Sequence, residues 1–291
     1  MTLRLGLGPV FAYEWLRATR RWTMFAWRAG FVLVLLGGLA LVWLVESHRT
    51  GPSTMQEQAD LAKMFFGTIE CVAVFTVLLV APAATAGVIC QERARGTLLD
   101  VLATDLSSTE VVLGKLAARL LPVLATIAAA LPVLAITSLF GGIDPGALGG
   151  SFAVIVGLAV IGCALALSLS LWGRKTHEVL LAMYFVWFGW LLLLPVWVVV
   201  TNQLVGRPLP WGWLVQTHPF MLTLFAHEPS VPWSPGLAEQ LRFLAGAVVL
   251  AAGLVALTIW RLRPVCVGQS RQRTTRRAHS PRWRQIGRAH V

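Results

Sequence analysis

Apolar residues fall along this chain in six long runs, Ala29–Val45, Gly67–Ile89, Leu120–Phe140, Ala147–Trp172, Val179–Val200 and Phe243–Trp260, separated by polar stretches. A helix needs about 20 mostly apolar residues to cross the hydrocarbon layer of a bilayer. Inside that layer every backbone amide and carbonyl must find its partner within the segment or a neighbour. The pattern therefore predicts six membrane-spanning helices, the first lengthened by residues before Ala29. Residues 9–28 show a different rhythm: Phe11, Trp15, Ala18, Trp22 and Phe25 share one helical face, and Arg17, Arg21 and Arg28 lie on the opposite one. An aromatic face backed by a basic face is the pattern of an amphipathic helix lying in the membrane interface; the plainer reading is an extension of the first span. The expected fold class is all-α: a polytopic membrane protein with six transmembrane helices over 29–262, an N-terminal interfacial helix over 9–28 and a coupling helix between spans 2 and 3.

Composition agrees. The chain is 57% hydrophobic and 13% charged, with a mean hydropathy of +0.72, which no soluble domain of 291 residues resembles. A cleaved signal peptide is not expected, because the first apolar run begins near Ala29 and no small-residue cleavage site follows Val45. Cys71, Cys90, Cys163 and Cys266 lie in or beside apolar segments with no close pair, so packing is expected of them rather than metal or redox chemistry. Of the 24 Lys and Arg residues, all but Arg49, Lys63, Arg207 and Arg242 fall on one side once the N-terminus is placed inside. Basic residues flank spans on the cytoplasmic side, so both termini are expected in the cytoplasm and the protein in the cell (plasma or inner) membrane. The formal charge of +11 is read as attraction to anionic lipid head groups, about 1 kcal/mol per basic residue near the surface, and not as nucleic-acid binding. The basic tail 263–291 is expected to be disordered. From about Gln285 it resembles an assembly artefact and is expected to be non-native, so no function is placed there.

Within the spans, Glu70 is the carboxylate that invites a functional reading. Two readings stand open: its side chain reaches the head groups from a shallow position, or it lines a pore or polar cavity. Pro82, Pro122, Pro132 and Pro195 are expected to kink their helices, each removing a backbone hydrogen bond. Gly157, Gly162, Ala164, Ala166, Ser168 and Ser170 dot span 4, where small residues let helices approach closely. His177-Glu178 sits at a helix start, where a carboxylate suits the positive dipole end. The loop 201–242 carries six prolines among tryptophans, and short segments such as Phe220–Ala226 are expected to lie on the outer membrane surface.

The stretch 91–115 is polar and wedged between two spans. After a break at Gly96, Leu98, Leu99 and Leu102 line one side of a short helix with Asp100 on the other; Thr104-Asp105 make a turn, and Ser107 with Glu110 forms a capping box that starts the next helix. A helix–turn–helix with an exposed leucine patch suits docking of a partner, or packing on lipid. The run Glu92, Arg93, Gly96, Thr97, Leu98, Asp100, Leu102, Thr104 and Leu106, followed by Gly114-Lys115, resembles the coupling region of ABC-2 type transporter permeases. Asp100 stands where that family usually has a carboxylate four residues past the glycine. The resemblance covers roughly residues 9–262. It implies a non-catalytic permease subunit of an ATP-driven exporter, paired with a second permease copy and sitting on separate ABC ATPase subunits that bind the ATP. Glu92, Arg93, Gly96, Thr97, Leu98, Leu99, Asp100, Leu102, Thr104 and Leu106 would then carry the coupling. The chain itself holds no phosphate loop: Gly114-Lys115 is followed by Leu116, and Thr109 stands where the first glycine belongs. No catalytic residues, cofactor or metal are expected. An intramembrane enzyme would need groups meeting Glu70 at membrane depth, and no His or Asp lies in any span. An ion-coupled secondary transporter or channel, the alternative, would need buried charges and matched repeats, and neither is evident.

Overall fold

The structure, a computed structural model, describes residues 8–19, 22–47, 54–96, 107–138, 144–173, 175–205, 214, 216–227 and 234–278. Among these, every regular element is helical: α1 (Gly8–Thr19), α2 (Trp22–Ser47), α3 (Met55–Thr85), α4 (Val88–Arg95), α5 (Ser108–Ala128), α6 (Leu131–Ser138), α7 (Pro145–Trp172), α8 (Thr176–Phe188), a π-turn (Gly189–Leu193), α9 (Leu194–Val205), α10 (Pro219–Leu224) and α11 (Leu237–Ala278). Six stretches are long and apolar enough to cross a membrane: Phe25–Ser47, Met55–Arg95, Ser108–Thr137, Pro145–Trp172, Thr176–Leu204 and Leu237–Leu262. They coincide with the six predicted runs and extend most of them into polar flanks. The chain is an all-α, multi-pass membrane protein.

Local chemistry sets where the helices start. Thr54 with Glu57, and Ser107 with Glu110, form reciprocal capping boxes, each satisfying two amides that have no intrahelical acceptor. Asp144 caps α7 through the amides of Gly146 and Ala147, with Pro145 in the first turn. The four span prolines act differently from one another. Pro122 stays within an unbroken α5. Pro82 lies three residues before the end of α3, Pro132 opens α6 after a break at Ala129-Ala130, and Pro195 follows the π-turn in span 5.

Span 4 forms the centre, packed against span 6 on one side and span 2 on the other. Small residues make the contact, as the sequence suggests. A Cβ on Gly157 would sit 3.2 Å from Ala247 Cβ and 3.4 Å from Leu244 Cα, and one on Gly162 would sit 3.2 Å from Ala81 Cβ. Spans 1, 5 and 6 keep most of their apolar surface outward, with Leu33, Trp43, Phe185, Trp197 and Val249 exposed, the arrangement that lipid demands and water would penalise. Glu14 of α1 faces Lys115 in the first turns of α5, and Leu262 packs with Val88 and Ile89 of α4. α1 and the end of span 6 therefore lie at one face of the bundle, called the amino-terminal face below.

Two expectations change. The segment around α10 is packed among the spans rather than laid on a surface. The Phe220 ring packs at a tilt against Phe75 of span 2, centroids 5.0 Å apart, Leu222 and Thr223 are fully buried, and the Leu222 carbonyl accepts from Gln240 Nε2 at 2.9 Å. Polar backbone is tolerated there because side chains of neighbouring spans satisfy it. The basic tail, expected to be disordered, continues as helix α11 to Ala278. A span already folded supplies the costly nucleus, and further residues add one hydrogen bond each. Residues 279–291 lie outside those described.

Candidate functional site

At the amino-terminal face, span 2 breaks after Thr85 and resumes at Val88 as α4, the eight-residue helix that carries Glu92 and Arg93. The first amides of a helix need acceptors from elsewhere, and the residue before α4 is Gly87, which has no side chain to offer. Ser170 of α7 fills the gap: its Oγ accepts from the amides of Ile89 and Cys90, both at 3.0 Å. The favour is returned at the other end. Arg93 donates its guanidinium hydrogens to the Leu171 and Gly173 carbonyls where α7 ends, and a cation there also meets the negative end of the helix dipole. Each helix thus caps the other. Gln91 Nε2 donates to Thr176 Oγ1 at 3.2 Å, which attaches the start of span 5.

Glu92 turns the other way. Its Oε1 lies 2.5 Å from Lys115 Nζ on α5. Lys115 is also 3.6 Å from Glu14 Oε1, and Arg119 Nη2 reaches Glu14 Oε2 at 3.0 Å. Lys115 is only 3% exposed; a cation that deep is tolerable because two carboxylates flank it. The chain of charges binds α1, α4 and α5 together. A cleft of about 220 Å³ opens beside it, lined by Glu14, Gln91, Glu92, Arg95, Arg119 and Thr176.

Gly96 ends α4 with φ of 85°, a left-handed conformation that glycine adopts without strain. The break read from the sequence is there, and so is the Ser107–Glu110 box on the far side of the segment. The residues between, including Thr97, Leu98, Leu99, Asp100, Leu102, Thr104 and Leu106, lie outside those described. Of the predicted site, Glu92, Arg93 and Gly96 come together in one junction. Glu70 is elsewhere: 2% exposed, it lines a water-sized cavity of about 10 Å³ with Ile127, Ser151 and Phe152. Sequence reasoning missed Glu14 and the capping role of Ser170. Glu14 is the lone acid in α1, a signal that could have been used; nothing distinguishes Ser170 from the other small residues of span 4.

Residues 10–265 match the family described as ABC-2 family transporter protein. The chain belongs to the ABC-2 transporter family. It is a membrane-spanning permease subunit of an ABC transporter, and such subunits are generally non-catalytic and typically partner with an ABC ATPase. No curated protein matches the chain. In this ABC-2 permease, the junction ties the ends of spans 2, 3, 4 and 5 to α1. Ser168 Oγ, 2.7 Å from Thr258 Oγ1 and 3.1 Å from the Leu254 carbonyl, carries the connection on to span 6.

Proposed function

We propose that the chain converts ATP-driven motion of a separate ATPase subunit into rearrangement of its spans, exporting a substrate. The amino-terminal face is cytoplasmic, in the plasma or inner membrane, and residues 97–106 form the docking segment. The carrying observation is how that segment is held. Its first end leaves Gly96 from a helix capped reciprocally with span 4, and its second end enters α5 through the Ser107–Glu110 box. A push on the segment would reach spans 3 and 4 without slack. ATP is bound by the partner chain. A second permease copy would cover part of the exposed faces of spans 1 and 5, and the basic residues beside the spans would hold anionic lipids.

Affinity purification of the tagged protein from its native membranes in mild detergent tests this reading. An ABC-type ATPase should co-purify in stoichiometric amount and be lost when Leu98 and Leu102 are both changed to Asp, with membrane insertion unchanged. A protein that purifies without an ATPase would overturn the proposal in favour of an ion-coupled transporter, for which the buried Glu70 is the candidate group.

A further inference from the structure

Span 5 does not run through as one α-helix. α8 ends at Phe188, the π-turn Gly189–Leu193 follows, and α9 begins at Leu194. Pro195 accounts for the break. Its nitrogen carries no hydrogen, so the Leu191 carbonyl four residues earlier loses its α-helical donor, and the proline ring crowds the same carbonyl. A carbonyl so deprived inside a membrane protein needs a donor from somewhere else.

That donor comes from outside the span. His218 Nε2 lies 3.1 Å from the Leu191 oxygen. His218 immediately precedes α10 and is 5% exposed. A carbonyl can only accept, so Nε2 carries the proton. Nδ1 is buried with no hydrogen-bond partner among the described residues, which suits the bare nitrogen of a neutral ring. The imidazole is not needed to build its own turn, since the His218 amide and carbonyl already bond Leu214 and Leu222. From α10 two further contacts lead away: Phe220 to Phe75 of span 2, and the Leu222 carbonyl to Gln240 at the start of span 6.

We propose that His218 is a positioning residue that supplies the hydrogen bond Pro195 removes, locking α10 and the break in span 5 into one unit that also holds spans 2 and 6. The face opposite the amino-terminal one then reshapes through a single short helix during transport. This last consequence rests on the transporter reading, whereas the bond does not.

Histidine-selective nitrogen NMR of the purified protein is expected to show a neutral Nε2–H tautomer that disappears in His218→Gln. The Nδ1–H tautomer, whose bare Nε2 could not donate to a carbonyl, would overturn the donor assignment. Thermal unfolding supplies the second arm. His218→Ala should lower the melting temperature by about 2–4 °C, as loss of one buried hydrogen bond does in a chain of this size. His218→Gln, whose amide reaches the same carbonyl, should recover most of that. In a Pro195→Ala background, where residue 195 regains its amide, the His218→Ala penalty should vanish. An equal penalty in both backgrounds sinks the proposal; if Pro195→Ala does not insert, the tautomer and the glutamine rescue decide. ATP-driven turnover should fall severalfold in His218→Ala at unchanged protein level. Unchanged turnover would overturn the positioning role, while absence of any ATP dependence in the unmodified protein would fault the transporter reading instead.

Discussion

Ser170 Oγ accepts from two amides in a place water does not reach, whereas Ser168, two residues earlier, bonds a hydroxyl and a carbonyl that keep other partners. The two serines therefore separate capping from packing. Ser170→Ala would leave two buried N–H groups without their acceptor and should cost about 1–3 kcal/mol. Ser168→Ala should cost less, because Thr258 Oγ1 retains its own 2.8 Å bond to the Leu254 carbonyl. Equal losses in thermal unfolding of the two variants would show that Ser170 is not a cap. At this scale the sequence was legible where a residue's role is local. Gly96 breaks its helix by its own backbone freedom, and Ser107 caps the helix that follows it directly. Ser170 serves α4 across about 80 positions of chain, a register set by packing that no local pattern announces.

The helices themselves were the easiest part to read, because lipid gives a span no alternative to satisfying its own backbone, so hydropathy maps onto structure with few exceptions. The exceptions were elements whose fate depends on neighbours. α10 is too short to announce its depth, and the tail is polar enough to look unstructured until a finished span nucleates it. Close packing of spans 4 and 6 is open to a direct check. Gly157→Leu places side-chain atoms where Ala247 and the Leu244 backbone already stand, and overpacking of this kind costs about 1–3 kcal/mol. A Cβ added at Gly30 in span 1 would meet nothing within 4 Å, so Gly30→Ala should be neutral or stabilise by up to about 1 kcal/mol. Melting temperatures that fall alike in both variants would mean that span 4 is not the packing centre.

For the molecule as a whole, six spans and the amino-terminal face leave one binary question, namely which side of the membrane that face occupies. The charge distribution supports the cytoplasmic placement proposed for it. The face carries Arg93, Arg95, Lys115, Arg119 and the basic end of α11, against Lys63 and Arg242 among the described residues of the other. Translocating basic flanks is disfavoured, and anionic lipid attracts them on the cytoplasmic side. Lys115 adds little to this argument, being neutralised by Glu14 and Glu92, so the basic end of α11 carries most of it. Single cysteines at Gln58 and Ser234, with Cys71 and Cys266 replaced by Ser and the buried Cys90 and Cys163 kept, should react with an impermeant maleimide in intact cells. Cysteines at Thr2 and Ser280 should react only after permeabilisation. The reverse pattern would put the junction outside the cell, where no ATPase could reach it, and would overturn the coupling role of Glu92 and Arg93 along with the orientation.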